Sequence, residues 1–317
     1  MKKNFLGYLC TVIILFISSN SLSENKNEVR IIMKINEQII TNIDIKNEYN
    51  YLLALNNNLA SLTKSEGYKI AKDSLVREII KSDEIAKYVD LKNFNDENLM
   101  KNVLNNLTFA LKLNSILELE NYLNTYNISI ENVKNKMATE VLWNQLIFSK
   151  YKNKLNIDEK KLNNQIENSG FLEQNNEIQY ELSEILYEVK NKDEFNDLTN
   201  LIINNIQTIG FKNTANKFSI SETSKLGGYL GTLNETQLSK EIRQLLSTIN
   251  IGDFTKPIKV GTNFLILYIN DKKLIKRNID KKVLLNNLIE AERQKQLNNF
   301  SQIYYNKIKI NNLINEF

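Results

Sequence analysis

The chain has 317 residues, with 41 Lys and Arg against 37 Asp and Glu and a formal net charge of +4. It holds no His and one Cys, which excludes Ser-His and Cys-His nucleophile systems, His-ligated zinc and an intrachain disulfide. Hydrophobic residues at 42% and charged residues at 25% are those of an ordinary globular chain, and only 9 Gly and 1 Pro favour long helices over a many-turned all-β fold.

Met1-Lys2-Lys3 is a short basic start, followed by a nearly continuous apolar run from Phe5 to Ile17. Ser21 and Ser23 then place small residues where a cleavage site needs them, so residues 1–23 read as a secretory signal peptide. The run of 13 residues is short of the ~20 that span a bilayer as a helix. An uncleaved membrane anchor is the alternative. Cys10 lies inside the apolar run, so a lipid-modified Cys at a new terminus is not expected. Loss of Lys2 and Lys3 lowers the formal charge from +4 to +2, and a near-neutral chain gives no case for nucleic-acid binding. After cleavage no stable membrane span is expected.

Glu28 to Ile35 alternates loosely through Val29, Ile31, Met33 and Ile35, as a strand does. Asn36-Glu37 turns the chain, Gln38 to Ile40 returns, and Thr41 before Asp44 reads as a helix N-cap. Helical spacing follows to about Asn168. Its apolar stripes are Ile70, Leu75, Ile79 and Ile80; Leu99, Val103, Leu107 and Leu111; and Ile130, Val133, Met137 and Val141 followed by Trp143, Leu146 and Ile147. Each stripe is expected to pack helix on helix, with the charged residues between them on the solvated face.

The pattern changes near Gly170. Gln179 to Leu186 reads as a strand, Phe195 to Ile209 as a helix ending at Gly210, and Phe211 to Phe218 as a second short helix. Gly227, Gly228, Gly231, Gly252, Gly261 and Pro257 crowd one later stretch, where special backbone geometry is concentrated. Leu238 to Ile249 reads as a helix. Pro257 to Val260 and Phe264 to Ile269 read as strands joined by Gly261-Thr262-Asn263. This order predicts an α+β domain with a small antiparallel sheet. Beyond Asp271 the chain is polar, then helical through Val283, Leu288, Leu297, Phe300 and Tyr304, with Ile308, Ile310 and Ile314 as a short last strand. A lone C-terminal helix cannot bury its own apolar face. Residues 24–168 and 280–317 are therefore expected to pack together, with the α+β domain inserted between them.

Residues 171–273 resemble a parvulin-type peptidyl-prolyl isomerase domain. The resemblance rests on Tyr180 to Leu186, Phe211 with Ala215 to Ser219, Gly227-Gly228-Tyr229-Leu230-Gly231, Gly252 to Ile258, and the hairpin ending in Phe264 to Leu267. The whole chain resembles a SurA-type periplasmic chaperone with a single parvulin domain: signal peptide, helical N-terminal module, rotamase domain, and a C-terminal helix returning to the first module. By position, the resemblance puts Leu230, Leu238 and Ile242 in a proline socket, Ser221 near the amide and Thr262 at the hydroxyl position of the last hairpin. Family His positions are held here by Glu184 and by Leu265, which lines the pocket opposite it. The resemblance thus implies binding of unfolded outer-membrane polypeptides in the periplasm, without metal or cofactor, and with isomerase activity weak or absent. The alternatives are an active isomerase and a membrane-anchored parvulin foldase.

Overall fold

The computed structural model describes residues 28–89, 96–168, 176–189, 191–276 and 280–317. The expected signal segment and Cys10 lie outside these. Strands β1 (Ile31–Ile35) and β2 (Gln38–Thr41) form the expected hairpin, with Asn36 in the left-handed region at φ 50°. Asn tolerates that conformation better than most side chains. Helix α1 (Asn42–Leu55) starts on a reciprocal cap: the Thr41 hydroxyl accepts from the Asp44 N–H, and the Asp44 carboxylate accepts from the Thr41 N–H. The same device, Thr63 with Glu66, opens α2 (Lys64–Ile85).

Helices α3 (Glu97–Ala110), α4 (Ile116–Asn124), α5 (Ile130–Tyr151) and α6 (Glu159–Glu167) follow. The apolar stripes converge on one core containing Leu52, Leu59, Ile80, Leu107, Leu119, Val133, Trp143 and Ile147. The long C-terminal helix α10 (Lys281–Lys309) enters the same core through Tyr304, Tyr305 and Ile308, with Leu297 and Phe300 packed against it. The Trp143 indole N–H donates to the Ser301 hydroxyl at 2.8 Å, and the Tyr151 and Phe300 rings stack at 4.7 Å. Each fully buried aliphatic or aromatic side chain here is worth roughly 1.5–3 kcal/mol of transfer free energy. The last strand is shorter than expected. Ile308 belongs to α10, and only β7 (Ile314–Glu316) pairs with β1, completing a sheet of order β2-β1-β7.

The α+β lobe is an antiparallel sheet of order β4-β3-β6-β5, made of β3 (Asn176–Glu188), β4 (Tyr229–Asn234), β5 (Ile258–Val260) and β6 (Asn263–Lys276). Alternation along β3 and β6 sends side chains to two faces. Ile185, Tyr187 and Ile266 pack under α7 (Lys192–Ile209) and α8 (Phe211–Phe218), with Ile202, Ile206, Phe211 and Ala215. Tyr180, Leu182, Leu267 and Ile269 face Leu238 and Leu246 beside α9 (Lys240–Ser247). Two details differ from the sequence reading. Helix α9 begins only after Ser239, whose hydroxyl caps it, so Leu238 is extended. Strand β6 runs on past Asp271 to Lys276, because Asn176 to Glu181 supply it with backbone partners.

Candidate functional site

Glu184 lies in the middle of β3, on the sheet face that carries Leu182, Leu265 and Leu267. The segment after α8 is tied alongside it. The Leu186 N–H donates to the Ser219 hydroxyl at 3.1 Å, and the Ile220 N–H donates to the Leu186 carbonyl at 2.8 Å. This clamp brings the Ser221 hydroxyl onto Glu184 Oε1 at 2.5 Å, and the Thr223 hydroxyl donates to the same oxygen at 2.9 Å. The two hydroxyl oxygens are 3.1 Å apart. Gly228 closes the other side. The Glu184 N–H donates to its carbonyl at 2.8 Å, its φ is +81°, and a Cβ there would collide with the Glu184 carbonyl. Only glycine meets both the left-handed backbone and the close approach.

Burial raises the Glu184 carboxyl above its ordinary value, and the hydroxyls of Ser221 and Thr223 oppose that rise. The Ser221 O–H is directed into the carboxylate and the Thr223 O–H is engaged by Glu184 or Ser221, so neither is free to donate to a substrate carbonyl. The register corrects one expectation. Glu184 is paired with Leu267, and Leu265 stands opposite Leu186 and Ile258, one step along the same face. A bulge between Glu181 and Leu182 sets this offset. Leu230, Leu238, Ile242 and Leu265 gather in one apolar cluster with Leu246 and Ile258. Thr262 stands apart: it is exposed in the β5–β6 turn, with no side-chain hydrogen bond to the other candidates among the described residues.

The sequence reading missed Thr223 and the seam beside it. Ser221 and Thr223 flank and enter a 3-10 turn, Glu222–Leu226, whose Glu222 and Lys225 dock onto the helical module. Lys81 of α2 pairs with Glu222 and, at 2.8 Å, with Glu140 of α5, while Lys225 reaches the other Glu140 oxygen at 3.0 Å. Burial alone would raise Glu140, but Lys81 and Lys225 outweigh it and hold the carboxyl well below the usual range. Nearby, Arg77 donates to the Ser219 carbonyl at 3.0 Å, and the buried Asn56 amide donates to Asn216 at 2.5 Å. Lys81 and Glu140 are thus not on a solvated helix face. Their positions at i and i+4 from other charges resembled one because their partners come from other elements. A separate cleft of about 360 Å³ between lobe and module is lined by Leu55, Lys112, Glu181, Leu226, Tyr229 and Asp271.

Residues 170–271 match the Rotamase family, the PPIC-type PPIASE domain. They are a PpiC-type rotamase domain. Among solved structures, a PpiC-type peptidyl-prolyl cis-trans isomerase domain is 25% identical and covers 32% of this chain and 96% of its own, with a TM-score of 0.29. A structure from work on PEB4 and Cj1289, two SurA-like chaperones of Campylobacter jejuni, is 16% identical over 90% of this chain and 98% of its own, with a TM-score of 0.34. The peptidylprolyl isomerase PrsA of Bacillus anthracis is 18% identical over 74% and 95%, with a TM-score of 0.31. The comparison with curated proteins finds no match.

Proposed function

We propose that the protein is a periplasmic chaperone that holds unfolded outer-membrane polypeptides in transit, and that its rotamase domain binds peptide with weak or absent isomerase activity. On this reading residues 1–23 are a signal peptide, 24–168 and 280–317 form the chaperone module, and 171–273 form the rotamase domain. The observation that carries the weak-activity reading is the closed hydrogen-bond cluster of Glu184, Ser221 and Thr223. Isomerisation must lower a barrier of ~18–20 kcal/mol by favouring a twisted amide, which needs donors free to meet it. Here the donors are already engaged, and the chain has no imidazole to replace them.

The apolar cluster of Leu230, Leu238, Ile242 and Leu265 still suits a proline ring or another apolar side chain. The helical module also exposes Phe109, Leu117 and Phe148, side chains of the kind that contact unfolded chains. Among the described residues no helix is long and apolar enough to cross a membrane. The test is light scattering from an unfolded β-barrel protein diluted out of denaturant. Suppression at a near-stoichiometric ratio is expected, and undiminished aggregation overturns the proposal. The same apolar cluster favours a second reading, an active isomerase, in which Ser221, Glu184 and Thr262 would act on the amide. A protease-coupled X-Pro assay separates the two.

A further inference from the structure

Helix α10 has two unlike faces. Leu297, Phe300, Tyr304 and Ile308 recur at three- and four-residue spacing and pack into the helical module. Lys295, Asn299 and Asn306 lie on a different stripe, and Asn299 and Asn306 touch the rotamase domain. Lys295 lies within electrostatic reach of Glu241 at the start of α9. Asn299 Oδ1 lies 3.2 Å from where a Cβ would sit on Gly261, in the β5–β6 turn. Asn306 Nδ2 donates to Glu188 Oε2, at the end of β3, at 2.7 Å. These three elements border the apolar face that holds Leu238, Ile242, Leu265 and Glu184. From Lys295 to Asn306 the helix advances about 16 Å, enough to cross the mouth of that face.

The seam is chemically mismatched. A polar stripe borders an apolar surface, and one buried polar atom beside it, Asn263 Oδ1 on the pocket face next to the turn, finds no hydrogen bond among the described residues. A buried polar group without a partner is costly, so this closure is weaker than the packing on the other face of α10. The rotamase domain is anchored elsewhere, through Asn56 with Asn216 and Lys225 with Glu140, and α10 is anchored to the module through Ser301 and Phe300. Between them the seam is held by the Asn306–Glu188 hydrogen bond and the approach of Asn299 to Gly261.

We infer that α10 is a strap over the rotamase pocket: its polar stripe closes the apolar face in the free protein, and an extended peptide bearing proline or another apolar side chain must part the contacts of Asn299 with Gly261 and of Asn306 with Glu188 to bind. The inference rests on the peptide-binding reading of the pocket given above. A backbone N–H of such a peptide supplies the partner that Asn263 Oδ1 lacks.

The experiment uses the full chain and three variants: Asn306→Asp, Asn306→Lys and the double variant Glu188→Lys with Asn306→Asp. Amide hydrogen exchange of residues 258–267 reads the strap, and fluorescence anisotropy of a labelled apolar, proline-containing peptide reads binding. Asn306→Asp sets two carboxylates together, so faster exchange and binding tightened about threefold at low ionic strength are expected. Asn306→Lys pairs with Glu188 and shifts both the other way. The double variant restores the attraction and returns both towards the parent. Equal exchange in all variants overturns the strap. Exchange that responds as expected, with no peptide bound by any variant, sustains the strap and overturns the peptide reading of the pocket.

Discussion

Lys81 offers the sharpest test of how the rotamase domain is held. It is only 4% exposed, and it faces Glu140 and Glu222 while lying 5.4 Å from the centre of the Trp143 ring. Lys81→Met keeps the length of the side chain and removes the charge. Glu140 retains Lys225 at 3.0 Å, but Glu222 loses its partner. Breaking a fully buried pair costs about 3–5 kcal/mol. The side chains of Glu140 and Glu222 are 24% and 45% exposed, so solvent screens part of that loss. A cost of about 2–4 kcal/mol is therefore expected, since an exposed pair is worth only ~0–1 kcal/mol. Urea unfolding followed by far-ultraviolet circular dichroism measures it, and calorimetry shows whether the domain now melts apart from the module. Adding Glu222→Gln removes the carboxylate left without a partner and should recover part of the loss. A Lys81→Met variant within about 0.5 kcal/mol of the parent would refute the buried-seam reasoning.

Gly228→Ala forces a Cβ against the Glu184 carbonyl at a positive φ, so it should destabilise the chain by about 2 kcal/mol or more in chemical denaturation. The Glu184 carboxyl is raised above 4.5 by burial, so the stability it contributes is fully present at low pH and is lost as pH rises through its folded value. The stability difference between parent and Glu184→Gln should therefore shift in the parent's favour as pH falls from neutral towards 4.5. Glu140 works in the opposite sense. Its stabilisation is present above the ordinary value of 4.5 and is lost as pH falls through its lowered folded value, which Glu140→Gln should abolish in an acid titration. Glu184→His with Leu265→His places imidazoles at the two positions where the family resemblance expects them and frees the Ser221 and Thr223 hydroxyls. X-Pro isomerisation faster than that of the parent is expected in a protease-coupled assay.

Local pattern made much of this molecule readable. The β1–β2 hairpin, the Thr41 cap and the stripes of α3 and α5 are set by residues a few positions apart. The order of strands and helices in the rotamase domain follows in the same way, whereas the meeting of Glu184 with Ser221 spans 37 positions and was not read from the sequence. What was not readable depends on distant partners. The end of β6 is polar and looks like a linker, and it is a strand because the start of β3 pairs with it. Lys81 reaches Glu140 across 59 positions and Glu222 across 141, separations on which helical spacing is silent. The alignment of Glu184 with Leu267 follows from a bulge, which shifts every later pair by one residue and leaves no mark in the alternation. Thr223 was overlooked because a hydroxyl in a polar turn has no pattern of its own.

On the proposed reading, the pocket's own carboxylate holds the hydroxyls that rotation would need. Its most direct test is the relaxation of a short X-Pro peptide after a solvent jump, with increasing amounts of the full chain added. The relaxation should stay close to its uncatalysed time of tens to hundreds of seconds while the protein is far below the peptide concentration. A marked acceleration by such small, catalytic amounts would contradict this reading.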